Sequence, residues 1–155
     1  MTHRTFINKI INLKDLTYWD QLKRLCLYSL KRRRERYMII YIWSILENLI
    51  PNFGAHNNGG IIGKIHVRHG RKCVVKIVRR GPFQKIISGS LSVYGAKLFN
   101  ALPKDIRNLS NCTKDIFKNN LDKFLKMVPD EPQIRSYTAR RRTDSNSIID
   151  MIRVM

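Results

Sequence analysis

The chain has 155 residues, room for one ordinary domain with an added tail, and its 43% hydrophobic fraction supports a packed core rather than a disordered chain. Thirty Lys and Arg against eleven Asp and Glu give a net charge of +19, a self-repulsion that strains a compact state unless polyanions neutralise it. Secreted and membrane-spanning classes fit poorly. Cys26, Cys73 and Cys112 are odd in number and in no paired spacing, residues 1–12 lack a continuous apolar run of the export type, and the apolar stretch Tyr37–Leu46, closed by Glu47, is about half the length a bilayer requires. The expectation is an intracellular protein of nucleus or cytoplasm with reduced thiols, neither secreted nor membrane-bound.

In chain order, Thr17–Cys26 reads as a helix: Thr17 can cap it, Asp20 follows three residues later, and Trp19, Leu22 and Cys26 share a face. Ser29–Leu49 is the longest helical stretch, apolar nearly all round from Tyr37 to Leu46, so its second half is expected in the core. Asn57-Asn58-Gly59-Gly60 marks a loop. Beyond it, Ile65 and Val67 alternate with Lys64, His66 and Arg68 as in a half-buried strand, and Cys73–Val78 is a second β-like run after a turn at His69-Gly70-Arg71. Such a hairpin must lean on helices. After Gly81-Pro82, Ser90–Leu102 is read as a helix ended by Pro103. Thr113–Val128 is the clearest helix, with Phe117, Leu121, Phe124, Leu125 and Val128 on one stripe, Asp115 in the first turn and Pro129 as the stop. From Pro129 the chain reads as an exposed linker, with Ile148–Ile152 either docking or fraying. The expected fold is mainly α with a small β-hairpin (α+β), divided into a helical segment 1–56, a basic hairpin with packing helices 57–128, and an extended tail 129–155.

Catalytic chemistry is not legible. Polymerases and two-metal nucleases hold paired carboxylates around Mg²⁺. The one adjacent acidic pair, Asp130-Glu131, lies between prolines and reads as a solvated turn. His66 and His69 on a strand and turn would not share a face as metal ligands do, and no phosphate-cradling G-x-x-x-x-G-K-S/T loop is present. No catalytic residue, metal ligand, cofactor or small-molecule substrate is expected.

Cationic chemistry is abundant. Lys64 to Arg107 holds eleven basic residues and one acid, Asp105, and cations on one hairpin face can track a phosphate backbone and release its counterions. Lys31-Arg32-Arg33-Arg34 opens the long helix, where the macrodipole disfavours cations. These four contact an anion or pair with acids elsewhere. The candidate nucleic-acid contacts are therefore Lys31, Arg32, Arg33, Arg34, Arg68, Arg71, Lys72, Lys76, Arg79, Arg80 and Lys97, tracking RNA or DNA backbone without base readout, since no helix-turn-helix, zinc-finger or RNP-type motif is present. Arg140-Arg141-Arg142 is a further basic run.

The order of these pieces resembles the region after the catalytic core of non-LTR (LINE, jockey-like) retrotransposon reverse transcriptases. Leu13-Lys14-Asp15-Leu16-Thr17-Tyr18 with Leu22-Lys23-Arg24-Leu25 is similar to one family motif, and Leu27-Tyr28-Ser29-Leu30 with Arg32-Arg33, running on to Tyr41 and Ile45, to another. Arg68-His69-Gly70 resembles a basic stretch with its order altered. Leu98-Phe99-Asn100-Ala101-Leu102-Pro103 with Ile106-Arg107 and Phe117-Lys118-Asn119-Asn120-Leu121-Asp122-Lys123-Phe124-Leu125 are similar to the two closing motifs. Tyr28 stands where the family prefers Pro, and Cys26 where it often has Asn. The resemblance implies a helical thumb-like bundle that holds template and primer, with the metal-binding aspartates of the parent polymerase elsewhere and absent here. A basic structural protein of a ribonucleoprotein particle is the alternative expectation.

Overall fold

The computed structural model describes residues 15–52, 62–77, 87–132 and 145–153. The chain runs α1 (Tyr18–Arg24), α2 (Leu30–Leu46), β1 (Ile62–Arg68), a short 3-10 turn (His69–Arg71), β2 (Lys72–Ile77), α3 (Leu91–Ala101), α4 (Lys104–Arg107), α5 (Lys114–Met127) and α6 (Ile148–Ile152). It is mainly helical with one two-stranded antiparallel sheet, the α+β class expected. No helix among the described residues is long and apolar enough to cross a membrane.

Hydroxyl side chains start the four principal helices. Thr17, Ser29, Ser90 and Thr113 accept from the N–H groups of Asp20, Arg32, Val93 and Ile116, and each cap contributes about 1 kcal/mol by satisfying an orphan donor. Two helices end earlier than their apolar patterns suggest, and for one reason. Asn48 (φ 58) and Cys26 (φ 53) take the left-handed conformation. Leu49 N–H then donates to Ser44 O and Asn48 N–H to Ile45 O, while Leu27 N–H donates to Leu22 O and Cys26 N–H to Lys23 O. Both are Schellman closures. The reversal turns Cys26 into solvent, so it does not share the buried face of Leu22. Trp19 is half-buried, edge-on to Tyr18.

One hydrophobic cluster draws on α2, both strands, α3, α5 and α6, and so crosses the boundaries that composition suggests at 56 and 128. Trp43 is its centre. The indole is fully buried, stacks on Phe117 with ring centroids 4.6 Å apart, and donates Nε1–H to Leu109 O. Helix α3 crosses α2 at Gly95, where a Cβ would meet Ile42 Cγ1 at 2.9 Å. Close approach of the two backbones therefore requires that glycine.

The hairpin lies on this core through Ile65, Cys73 and Val75, while Val67, expected beside Ile65, is 52% exposed near the strand end. Both outer edges of the ribbon are closed by asparagine amides. Asn52 donates Nδ2–H to Ile65 O and accepts Ile65 N–H on Oδ1 (2.9 and 3.1 Å). Asn100 does the same for Cys73 (2.8 and 2.7 Å). Each edge thus finds at these points the partner that a two-stranded sheet lacks.

Candidate nucleic-acid interface

Of the eleven cations singled out, the structure divides those it describes into struts and solvent-facing charges. Arg32 is a strut. Its side chain is fully buried, it donates Nη2–H to Pro129 O at 2.5 Å and Nη1–H to Val128 O at 3.4 Å, and its Nε lies 3.5 Å from Asp130 Oδ1. Burial, against the attraction of Asp130 and Glu35, holds its pKa below the ordinary arginine value. A side chain with no exposed surface cannot reach a phosphate, and Arg32 is removed from the candidate interface. Arg71 goes with it: the half-buried guanidinium pairs with Glu47 and donates to Leu109 O, while the other Glu47 oxygen accepts Asn111 N–H at 2.8 Å.

Of the cations that open α2, Arg32 pairs with a distant acid, Asp130. Arg36, beyond the run, makes a two-pronged ion pair with Asp122 of α5 (2.5 and 2.6 Å). Arg33 is half-buried and donates to Tyr28 O. Lys31, exposed, donates to Ser145 Oγ at 2.9 Å. Arg34 is exposed and has no acidic partner among the described residues.

Asp130-Glu131 is correspondingly not a solvated turn. Asp130 accepts Ser29 N–H (2.5 Å) and Ser29 Oγ–H (2.7 Å), and Asn146 donates to it at 3.3 Å. Glu131 accepts from Lys23 Nζ at 2.7 Å. The described part of the tail is fastened here, and α6 docks with Ile148 and Met151 buried. Its first N–H meets buried Glu35: Oε2 accepts Ile148 N–H and Oε1 accepts Tyr94 Oη–H, both at 2.7 Å.

Arg68 and Lys72 are the exposed pair that the fold brings together. They are the partners that close the hairpin register (Arg68↔Lys72), so their side chains leave the ribbon on one face. Directly opposed residues have Cβ atoms about 5 Å apart, and like charges there are destabilising. Both are exposed, and neither has an acidic partner among the described residues. His66 leaves β1 two residues before Arg68 on the same face, also exposed. Lys97 is exposed on α3. Arg79, Arg80 and the run at 140–142 lie outside the described residues, as does the side chain of Lys76, whose backbone belongs to β2. Among the described residues no group of three His, Cys, Asp or Glu could hold a metal ion.

Sequence reasoning missed Arg107. It reads as another cation of the basic stretch, yet it is buried and donates to three carbonyls, Gly70 O (2.9 Å), Asn100 O (3.0 Å) and Leu102 O (3.4 Å). Its role is to seat the hairpin turn that carries Arg68 and Lys72. No local signal marks it: Pro103, the N-cap of α4, sets where that helix starts and not where Arg107 points.

Burial also fixes the alkaline behaviour. Desolvation raises the Cys73 thiol from 9.0 to about 11 and, in larger part than the hydrogen bond to Glu35, raises Tyr94 from 10.0 to about 12. An acid whose folded pKa is raised keeps its proton in the native state after the unfolded chain has released it. Stability is therefore full below pH 9 and declines as pH rises to about 11 through Cys73, and to about 12 through Tyr94. The Cys73 contribution has an upper bound of roughly 3 kcal/mol. In urea titrations, Cys73→Ala is expected to lose less stability than the parent between pH 9 and 11. Parallel profiles would exclude Cys73 as the titrating group.

Compared with known proteins, the chain matches no family model, no curated protein and no solved structure.

Proposed function

We propose that the chain is a non-catalytic C-terminal piece of a retrotransposon RNA-directed DNA polymerase, and that it retains sequence-tolerant binding of RNA or DNA backbone through the outer face of its hairpin. The observation that carries the binding is the register opposition of Arg68 and Lys72, which have no acidic partner among the described residues and whose mutual repulsion a phosphate between them would relieve. Lys31, Arg33, Arg34 and Lys97 remain secondary contributors.

Two features support the origin. The residues that carry the family resemblance are here mostly the ones with structural work: Ser29, Arg32, Asn100, Arg107, Phe117 and Asp122 all make buried or cross-element contacts. The left-handed position filled by Cys26 is one the family often fills with Asn, the non-glycine residue that conformation suits best. A structural protein of a ribonucleoprotein is the second reading. In its favour stands the fastened tail, which closes the core with the chain's own residues.

Binding of the whole chain to structured RNA, RNA–DNA hybrid and duplex DNA across a salt series tests both. Affinity is expected to fall steeply with salt, and Arg68→Ala with Lys72→Ala to flatten the logarithmic slope by about two units for every sequence. An unchanged slope removes the hairpin face from the proposal. Preference for the hybrid favours the polymerase origin, and preference for structured RNA favours the ribonucleoprotein.

A further inference from the structure

A groove of about 450 Å³ opens beside α2, apart from the hairpin. Its walls are Met38 and Tyr41 of α2, Ile50 just beyond it, and Leu91 at the start of α3, with Tyr37 at its side. These walls are almost wholly apolar, and the hydroxyl of Ser44, which also lines it, is committed to Ile40 O. Tyr37 is 66% exposed and Leu91 39%, so apolar side chains face water at the rim of the groove. Among the described residues, the charged ones that line the groove are Arg34 and Lys114, both exposed; Arg34 has no acidic partner there, and Lys114 acts on the carboxylate of its chain neighbour Asp115 without forming an ion pair with it.

We infer that this groove binds an amphipathic protein segment whose apolar side chains fill it and whose flanking carboxylates meet Arg34 and Lys114. Charge and wall chemistry select that occupant. Arg34, Tyr37, Met38 and Tyr41 lie at the i, i+3, i+4, i+7 spacing of one helix face, against which a second helix packs its own stripe. The aliphatic side chains of the wall, Met38, Ile50 and Leu91, pack against apolar side chains and not against phosphate, the target of the hairpin face. A second copy of this chain would bring another +19 to the contact, whereas an acidic segment relieves the charge of both cations.

The test uses the whole chain and a fluorescein-labelled synthetic peptide of about 15 residues, four helical turns, with Leu and Phe at i, i+3, i+4 and i+7 and Glu on both flanks. A control peptide of identical composition has its apolar residues rearranged so that no stripe forms, which keeps the non-specific attraction of the basic protein constant. The striped peptide is expected to bind about tenfold tighter than the control at physiological salt, and the double variant Arg34→Glu with Lys114→Glu to lose about that factor. Leu91→Asp is expected to do the same. Because these three side chains are exposed, thermal midpoints of the variants should stay near the parent's, which separates loss of binding from loss of fold. Equal binding of the two peptides overturns the inference, as does unchanged affinity in the variants. Displacement of the striped peptide by a short single-stranded oligonucleotide whose own affinity falls in a neutral wall variant, Leu91→Asn, also overturns it, by making the groove a nucleic-acid site. Self-association abolished by the variants overturns it in favour of a second copy.

Discussion

Arg32→Ala is expected to destabilise the protein by about 3–5 kcal/mol while leaving the salt dependence of nucleic-acid binding unchanged. Truncation removes the donor to Val128 O and Pro129 O and the cation beside Asp130, and it leaves a cavity where a fully buried guanidinium and its stem lay. The carboxylate of Asp130 would retain Ser29 and Asn146 but lose its ion partner. Arg32→Met is expected to be milder, because an apolar side chain of similar length fills the space, although Asp130 still loses its cation and keeps only Ser29 and Asn146. For a chain of this size the Ala variant's midpoint should fall by roughly 10 °C. The discriminating readout is the salt slope. A buried strut contributes no released counterion, whereas Arg68→Ala with Lys72→Ala should flatten the slope with little change in midpoint. A flattened slope in a stably folded Arg32→Met would return Arg32 to the interface.

This contrast shows where the sequence is informative. Helix starts depend on three or four consecutive residues, so Thr17 and Asp20, or Thr113 followed by its apolar stripe, announce themselves. The hairpin turn at His69–Arg71 is equally local, with Gly70 at φ 68. Helix ends are less legible, because Cys26 and Asn48 close helices through a left-handed conformation that the apolar pattern does not encode. The fate of a cation is least legible of all. Arg32, Arg33 and Arg34 are three identical neighbours, yet the first is buried, the second half-buried and the third exposed. What separates them is about 100° of helix rotation per residue and the arrival of Asp130, ninety-eight residues beyond Arg32 in the chain. The helix macrodipole disfavours these cations at the start of α2 unless an anion meets them. Asp130, the acid that answers Arg32, is not identifiable in this way, since it reads as a turn residue until the chain is folded.

The same reasoning governs the basic stretch between Lys64 and Arg107, where function depends on which cations are spent on structure. Arg71 and Arg107 are turned inward, toward Glu47 and toward carbonyls. Arg68 and Lys72 are then held outward by the register that the inward residues stabilise. The seating of the hairpin and the presentation of its charge are therefore one arrangement.

Arg107→Ala should separate the two. Three carbonyls, on Gly70, Asn100 and Leu102, lose a charged donor at a 5% exposed site. Hydrogen bonds to charged groups contribute about 1.5–3 kcal/mol each, and water admitted to the opened site recovers part. A net loss of about 3–4 kcal/mol is expected. Asn100→Ala leaves Cys73 N–H and C=O without their side-chain partner and is expected to cost about 1–3 kcal/mol. The double variant should fall short of the sum by at least about 0.5 kcal/mol, because Arg107 binds Asn100's own carbonyl and both hold the same ribbon. For function, Arg107→Ala is expected to weaken nucleic-acid affinity through a less ordered hairpin while leaving the salt slope intact, since no phosphate contact has been removed. A slope reduced by about one unit would mean that Arg107 reaches the backbone itself. Affinity unchanged despite the loss of stability would mean that Arg68 and Lys72 bind without the ordered turn, and that the hairpin's seating serves the fold alone.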